Sequence, residues 1–185
     1  MKIGIYGGSF NPIHFGHIGL AKWVIGHTDL DEVWLMVSPN NPLKDKSILA
    51  DEQERLQKAR EAIGDGILAI GDEAKGKRIV VSDFEFHLPR PTYTANTLRA
   101  LAKEYPNHEF TLIIGEDNWQ CFHRWYRGDD IVRETPIIVY PRSSENSEHS
   151  ESTKELSTFN FQLSILEDPP LLPYSSTEIR NSIAH

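Results

Sequence analysis

Only one cysteine, Cys121, stands among the 185 residues, which excludes an internal disulfide framework and fits a reducing compartment, the cytoplasm. No apolar run approaches the ~20 residues that a membrane-crossing helix requires, and the first residues read as a strand and a turn, not as a leader peptide. An excess of base is missing too. Against 27 Asp and Glu there are 19 Lys and Arg, a formal charge of −8, which argues against a nucleic-acid partner that would need a basic field. A small anionic ligand remains admissible where local cations line its pocket, and Lys44, Lys46, Arg90, Arg124, Arg127 and Arg180 are the candidates. The glycine-rich turn near the N-terminus also lacks the spacing of both G-x-G-x-x-G and G-x-x-x-x-G-K-[ST], so it is neither a dinucleotide fingerprint nor a Walker loop.

With 39% hydrophobic and 25% charged residues, the chain is composed like an ordinary globular protein, and its length suits one domain over 1–185. Strand-like runs recur at 2–6, 32–37, 79–84, 110–114, 137–140 and 161–166. Helical patterns fall between them at 16–27, 51–63 and 94–104. In the second, Asp51 and Glu54 have capping-box spacing and Leu56, Ala59 and Ile63 form an apolar stripe; in the third, Leu98, Leu101 and Ala102 point inward. Alternation of this kind predicts an α/β fold, a parallel sheet with helices on both faces. Ligands of such sheets bind beyond the carboxyl ends of the strands, which places 7–17, 38–46 and 115–119 at the site. Residues 142–158, rich in Ser and Glu, read as a mobile polar loop with too little apolar surface to offset the entropy of ordering.

Within 4–17, Gly7 and Gly8 allow a sharp turn after a buried strand, Pro12 approaches a new element, and a helix starts near Gly16. Amides at a helix start are unsatisfied and sit at the positive end of the macrodipole, so a polyphosphate fits there, with His14 and His17 on the same side. Taken alone, the glycines account for no more than a tight turn. The histidine pair is open to two other readings, zinc ligation or ordinary placement, although no further ligands follow at useful spacing. Near the C-terminus, Ser175, Ser176 and Thr177 followed by Arg180 read as a helix cap that doubles as a second anion site.

G-G-S-F-N-P-I-H-x-G-H at one end and S-S-T-x-I-R at the other resemble the H-x-G-H nucleotidylyltransferase superfamily. Between them, residues 91–98 (P-T-Y-T-A-N-T-L) and 113–117 (I-I-G-E-D), followed by Trp125 and Tyr126, resemble segments of the bacterial nicotinate mononucleotide adenylyltransferases. The likeness runs from about residue 2 to residue 183. It implies a Rossmann-like sheet and adenylyl transfer from ATP to nicotinate mononucleotide, giving deamido-NAD and pyrophosphate. By the same resemblance, His14 and His17 act on the α- and β-phosphates. Ser176, Thr177 and Arg180 hold the leaving pyrophosphate, and Lys44 adds a cation. Gly7, Gly8, Ser9 and Phe10 shape the ATP site, and Gly115 and Asp117 take the adenosine. Asn11, Tyr93, Thr94 and Trp125 take the acceptor nucleotide. Mg²⁺ is implied as a passenger on ATP, with no metal site on the protein.

The chain has Leu43 where the family loop commonly has histidine before the lysine, and it ends five residues after Arg180, whereas the family usually continues through another helix. The competing readings are phosphopantetheine or nicotinamide mononucleotide adenylyltransferase, and a nucleotide-binding module without turnover. The partners implied are small molecules, with neither nucleic acid nor membrane; subunit number is left open.

Overall fold

A computed structural model describes residues 1–39, 51–71, 76–140 and the short strand 163–165. Seven strands form one sheet: β1 (Lys2–Gly8), β2 (Glu32–Val37), β3 (Ile67–Ala69), β4 (Arg78–Ser82), β5 (Glu109–Gly115), β6 (Ile137–Tyr140) and β7 (Leu163–Ile165). Their spatial order is β3-β4-β2-β1-β5-β6-β7. All pairings are parallel except the β3–β4 edge, which is antiparallel. The helices are α1 (Phe15–His27), α2 (Glu52–Ala62), α3 (Thr94–Glu104), α4 (Glu116–Gln120) and α5 (Gly128–Glu134).

The central strands are apolar on both sides, and consecutive side chains enter opposite layers. Val33, Leu35 and Val37 of β2, with Tyr6 and Ile113, pack against Val24 and Ile25 of α1 and Leu56 and Ala59 of α2. Met36, Ile3, Ile5, Leu112 and Ile114 face the other way, toward Leu98 and Leu101 of α3 and Ile131 of α5. The expected two-faced parallel sheet is therefore present. No helix among the described residues is long and apolar enough to cross a membrane.

Several expectations need correction. The strand expected over 79–84 stops at Ser82, whose hydroxyl accepts the Phe84 amide at 3.3 Å as the backbone winds into a 3₁₀ turn over Phe84–His87. Ala102 is exposed, not inward: it lines a groove with Arg99, Glu134 and Thr135, and its methyl is too short to fill it. Ala95 and Thr97 are buried on α3 instead. In α2 the cap is Asp51 alone, its Oδ1 accepting the amides of Gln53 at 2.9 Å and Glu54 at 3.3 Å. The 142–158 segment lies outside the described residues.

Candidate active site

The carboxyl ends of the two central strands lie side by side, since β1 and β5 pair in parallel with Tyr6 opposite Ile113. That alignment brings Gly7 and Gly8 level with Gly115 at one edge of the sheet. After Gly8 the chain turns through Ser9 and Phe10, both buried. Phe10 adopts φ 43°, a left-handed conformation that costs a side chain on the order of 1 kcal/mol. Its ring is held edge-on to Tyr6 at 5.7 Å and to His17 at 5.0 Å, which is what offsets the strain. A Cβ on Gly8 would lie 3.1–3.4 Å from that ring, so a side chain there would have to push the Phe10 ring aside by a few tenths of an ångström. Above Gly7 the situation is opposite: among the described residues no heavy atom stands within 4 Å of where a Cβ would be.

His14 is the N-cap of α1, and the cap is made from two imidazoles. His14 Nδ1 accepts the Gly16 amide at 3.1 Å, while His17 Nδ1 accepts the His14 amide at 3.3 Å. This reproduces the reciprocal logic of a Ser–Glu capping box with different side chains. Backbone N–H can only donate, so each Nδ1 must carry a lone pair, and in the neutral ring the proton resides on Nε2. Both rings are thereby fixed as Nε2–H tautomers, 3.8 Å apart between centroids. The cap also modifies the expectation of open amides at this helix start, because the Gly16 amide is already engaged by His14.

Gly115 caps α4, and a Cβ there would meet Asp117 Oδ1 at 2.5 Å and the Tyr140 ring at 3.2 Å. Any side chain at 115 would have to displace the Asp117 carboxylate and crowd the Tyr140 ring. Behind it, the hydroxyls of Tyr6 and Tyr140 meet at 3.3 Å across β5. Asn11 is buried in the turn that leads to His14.

A second group forms where α3 begins. Tyr93 is its N-cap and Thr94 its first residue, and the Tyr93 ring stacks on Tyr126 at 4.7 Å. Trp125, next in the chain to Tyr126, lies against Phe122 at 5.0 Å and is partly buried on the second core layer. The two acceptor segments expected from sequence therefore do come together, through Tyr126. Beneath them lies Glu85, buried, with Thr97 Oγ1 donating to its Oε1 at 2.8 Å. Burial raises its pKa above the ordinary glutamate value, an effect that the hydroxyls of Thr97, Ser38 and Thr92 reduce.

Among the candidate cations, Arg90 is paired with Glu52 at 2.6 Å and Arg127 with Asp130. Lys44, Lys46, Ser175, Ser176, Thr177 and Arg180 lie outside the described residues. Sequence reading passed over Glu85 and Arg55. The signal for Arg55 was present: it lies four residues before Ala59, on the buried stripe of α2.

Residues 5–182 match the cytidylyltransferase-like family. The chain is 44% identical over 183 residues to the "probable nicotinate-nucleotide adenylyltransferase" of Bacteroides fragilis, a match covering 99% of this chain and 82% of that protein. The protein of the same name from Flavobacterium johnsoniae is also 44% identical, with 99% and 86% covered. In structure, the Plasmodium falciparum nicotinic acid mononucleotide adenylyltransferase complexed with NaAD aligns with a TM-score of 0.77 at 24% identity, covering 97% of this chain and 82% of that one, which establishes a common fold. With sequence relatives and fold in agreement, the chain belongs to the cytidylyltransferase-like family, among its nicotinate-nucleotide adenylyltransferases.

Proposed function

We propose that this protein transfers the adenylyl group of ATP to nicotinate mononucleotide, releasing pyrophosphate and forming deamido-NAD. The observation that supports the reading is the imidazole cap: His14 and His17 accept backbone amides through Nδ1, which puts the ring protons on Nε2, and the His17 ring lies against Phe10 just beyond the carboxyl end of β1. In the reaction, a 5′-phosphate oxygen of the acceptor bonds to the α-phosphorus of ATP as the bond to the β-phosphate oxygen breaks, and the electron pair leaves with pyrophosphate. No protein nucleophile is required. Such a transfer depends on alignment and on donors placed where charge gathers, on the non-bridging oxygens and the departing group. Two fixed N–H donors serve that need without changing protonation state.

On the family resemblance, Ser176, Thr177, Arg180 and Lys44 complete the polyphosphate site, with Gly115 and Asp117 on the adenosine side. On the same resemblance Trp125 and Tyr93 supply aromatic faces suited to an electron-poor cationic ring, and Thr94 and Asn11 complete the acceptor side. In this reading Mg²⁺ arrives on ATP. The Mg²⁺ supplies charge neutralisation on the phosphates. The single cysteine and the small-molecule chemistry favour a cytoplasmic location.

The test is pyrophosphate release from ATP and Mg²⁺ with nicotinate mononucleotide, nicotinamide mononucleotide or phosphopantetheine supplied separately. Fastest release with the first is expected. Preference for either of the others reassigns the acceptor, and release with none leaves a nucleotide-binding module.

A further inference from the structure

Arg55 is among the most deeply buried side chains of the protein, 2% exposed, although it sits on a helix that is otherwise strongly polar. A guanidinium cannot be left dry without acceptors, and burial lowers its pKa even with Glu52 and Asp51 favouring the charge. The acceptors it finds among the described residues are backbone carbonyls. Nη1 donates to Ser9 O and, at 2.9 Å, to Ser38 O; Nη2 donates to Pro39 O at 3.0 Å.

Those three carbonyls share one circumstance. The β1–β2 ladder ends at Gly8 opposite Val37, and its last rung is the Ser38 amide donating to Gly8 O at 2.9 Å. Beyond it the two strands part, one toward Phe10 and His14, the other past Pro39. Carbonyls at such a split have lost their ladder partners and need donors from elsewhere. A planar fork with several N–H groups in fixed directions can bridge both branches at once, which a lysine ammonium cannot match in geometry. The Ser9 carbonyl belongs to the peptide that leads directly into the left-handed Phe10, and five residues after Ser9 the chain reaches the cap at His14.

From this geometry we infer that Arg55 is a positioning residue for the reaction: it fixes the split between β1 and β2 and thereby the placement and tautomers of His14 and His17. Arg55 does not itself touch the reacting atoms in this scheme. The catalytic half of the inference rests on the adenylyl-transfer reading; the tautomer half does not, and each has its own readout.

The experiment compares wild type with R55K and R55A. Thermal unfolding establishes that each variant is folded, pyrophosphate release gives kcat and KM for ATP, and ¹⁵N spectra of the imidazoles report whether the proton is on Nε2. In R55K, kcat is expected to fall on the order of 10- to 100-fold with KM for ATP changing less than about 3-fold, the pattern of a lost transition-state alignment. The two Nε2–H signatures should give way to mixed tautomers. Millimolar methylguanidinium should restore kcat of R55A by roughly 5-fold or more by refilling the fork, while leaving R55K unchanged. Wild-type kcat per folded molecule with intact tautomer signatures in both variants would reduce Arg55 to packing, and R55A indifferent to methylguanidinium would overturn the proposal. If wild type itself releases no pyrophosphate, the functional reading fails while the imidazole spectra still decide the role of Arg55.

Discussion

Thr97 donates a 2.8 Å hydrogen bond to the buried Glu85, tying α3 to the 3₁₀ turn that follows β4. The second carboxyl oxygen, Oε2, and the nearby Thr92 Oγ1 are both buried, and among the described residues neither makes a well-aligned hydrogen bond, the Ser38 and Thr92 hydroxyls lying close without good geometry. Desolvation is the main cause of the raised pKa of Glu85. A carboxyl raised in this way favours the fold in its neutral form. Its contribution is complete below the ordinary glutamate range and is lost as pH climbs through the folded value. The melting temperature of E85Q relative to wild type should therefore rise as pH increases across that window, then level off. Melting curves across a pH series provide the check, and a difference that is flat or falls with pH would contradict the assignment.

The imidazole cap allows structure and chemistry to be separated at one position. H14A should lose the acceptor for the Gly16 amide, costing about 1 kcal/mol of stability, together with most turnover. H14N retains a short acceptor suited to capping but lacks the distal Nε2–H. Its melting temperature should recover toward wild type while kcat stays low. For H17A, kcat should fall by roughly two to three orders of magnitude with a smaller change in KM for ATP. Recovery of turnover in H14N would show that the capping bond, not the donor, is what the reaction needs.

Two glycines should respond in opposite ways. At Gly7 the protein leaves room for a methyl, so G7A should keep its melting temperature, a strand Gly→Ala being worth under ~1 kcal/mol, yet bind ATP weakly if a phosphate approaches that backbone. At Gly115 a methyl would collide with Asp117 and Tyr140. G115A should displace the Asp117 carboxylate and lower both stability and ATP affinity. Calorimetric titration of ATP alongside melting curves distinguishes the pair; unchanged ATP binding in G7A would remove that glycine from the site.

Trp125 lies against Phe122 on one side, with its neighbour Tyr126 stacked on Tyr93. W125A should raise KM for nicotinate mononucleotide by about 10-fold, in keeping with the loss of an aromatic contact to a cationic ring. KM for ATP should change little. A rise confined to ATP would move Trp125 to the other substrate.

Sequence periodicity located the sheet well where burial is two-sided. The bounds expected for β2, β6 and α3 match those observed, because continuous apolar runs and a clear 3.6-residue stripe leave little choice of structure. The β3 strand was missed because its apolar run, Ile67–Ile70, is only four residues long, is set between glycines and is only partly covered, its pairing being set by left-handed Gly64, Asp65 and Gly66. The α5 helix was missed because it opens Gly-Asp-Asp after a left-handed Arg127, a start that resembles a turn. Within the site, the spacing of His14 and His17 was readable, but not their mutual capping, since that box is ordinarily built from hydroxyl and carboxyl side chains. The carbonyl partners of Arg55 were invisible for a different reason: carbonyls are carried by every residue, and these come from turns 46 and 16 or 17 positions away.

The strand order has a consequence for how the chain is assembled. As the central strand, β1 alone joins β3-β4-β2 to β5-β6-β7, and its partner across the second half is remote in sequence, Lys2 lying opposite Glu109. A nascent chain on the ribosome can zip β1 to β2 early, but one flank of β1 stays bare until more than half the polypeptide has emerged. Truncation of the opening eight residues would accordingly cut the molecule into two half-sheets, each with an exposed, aggregation-prone border where the bridge had been.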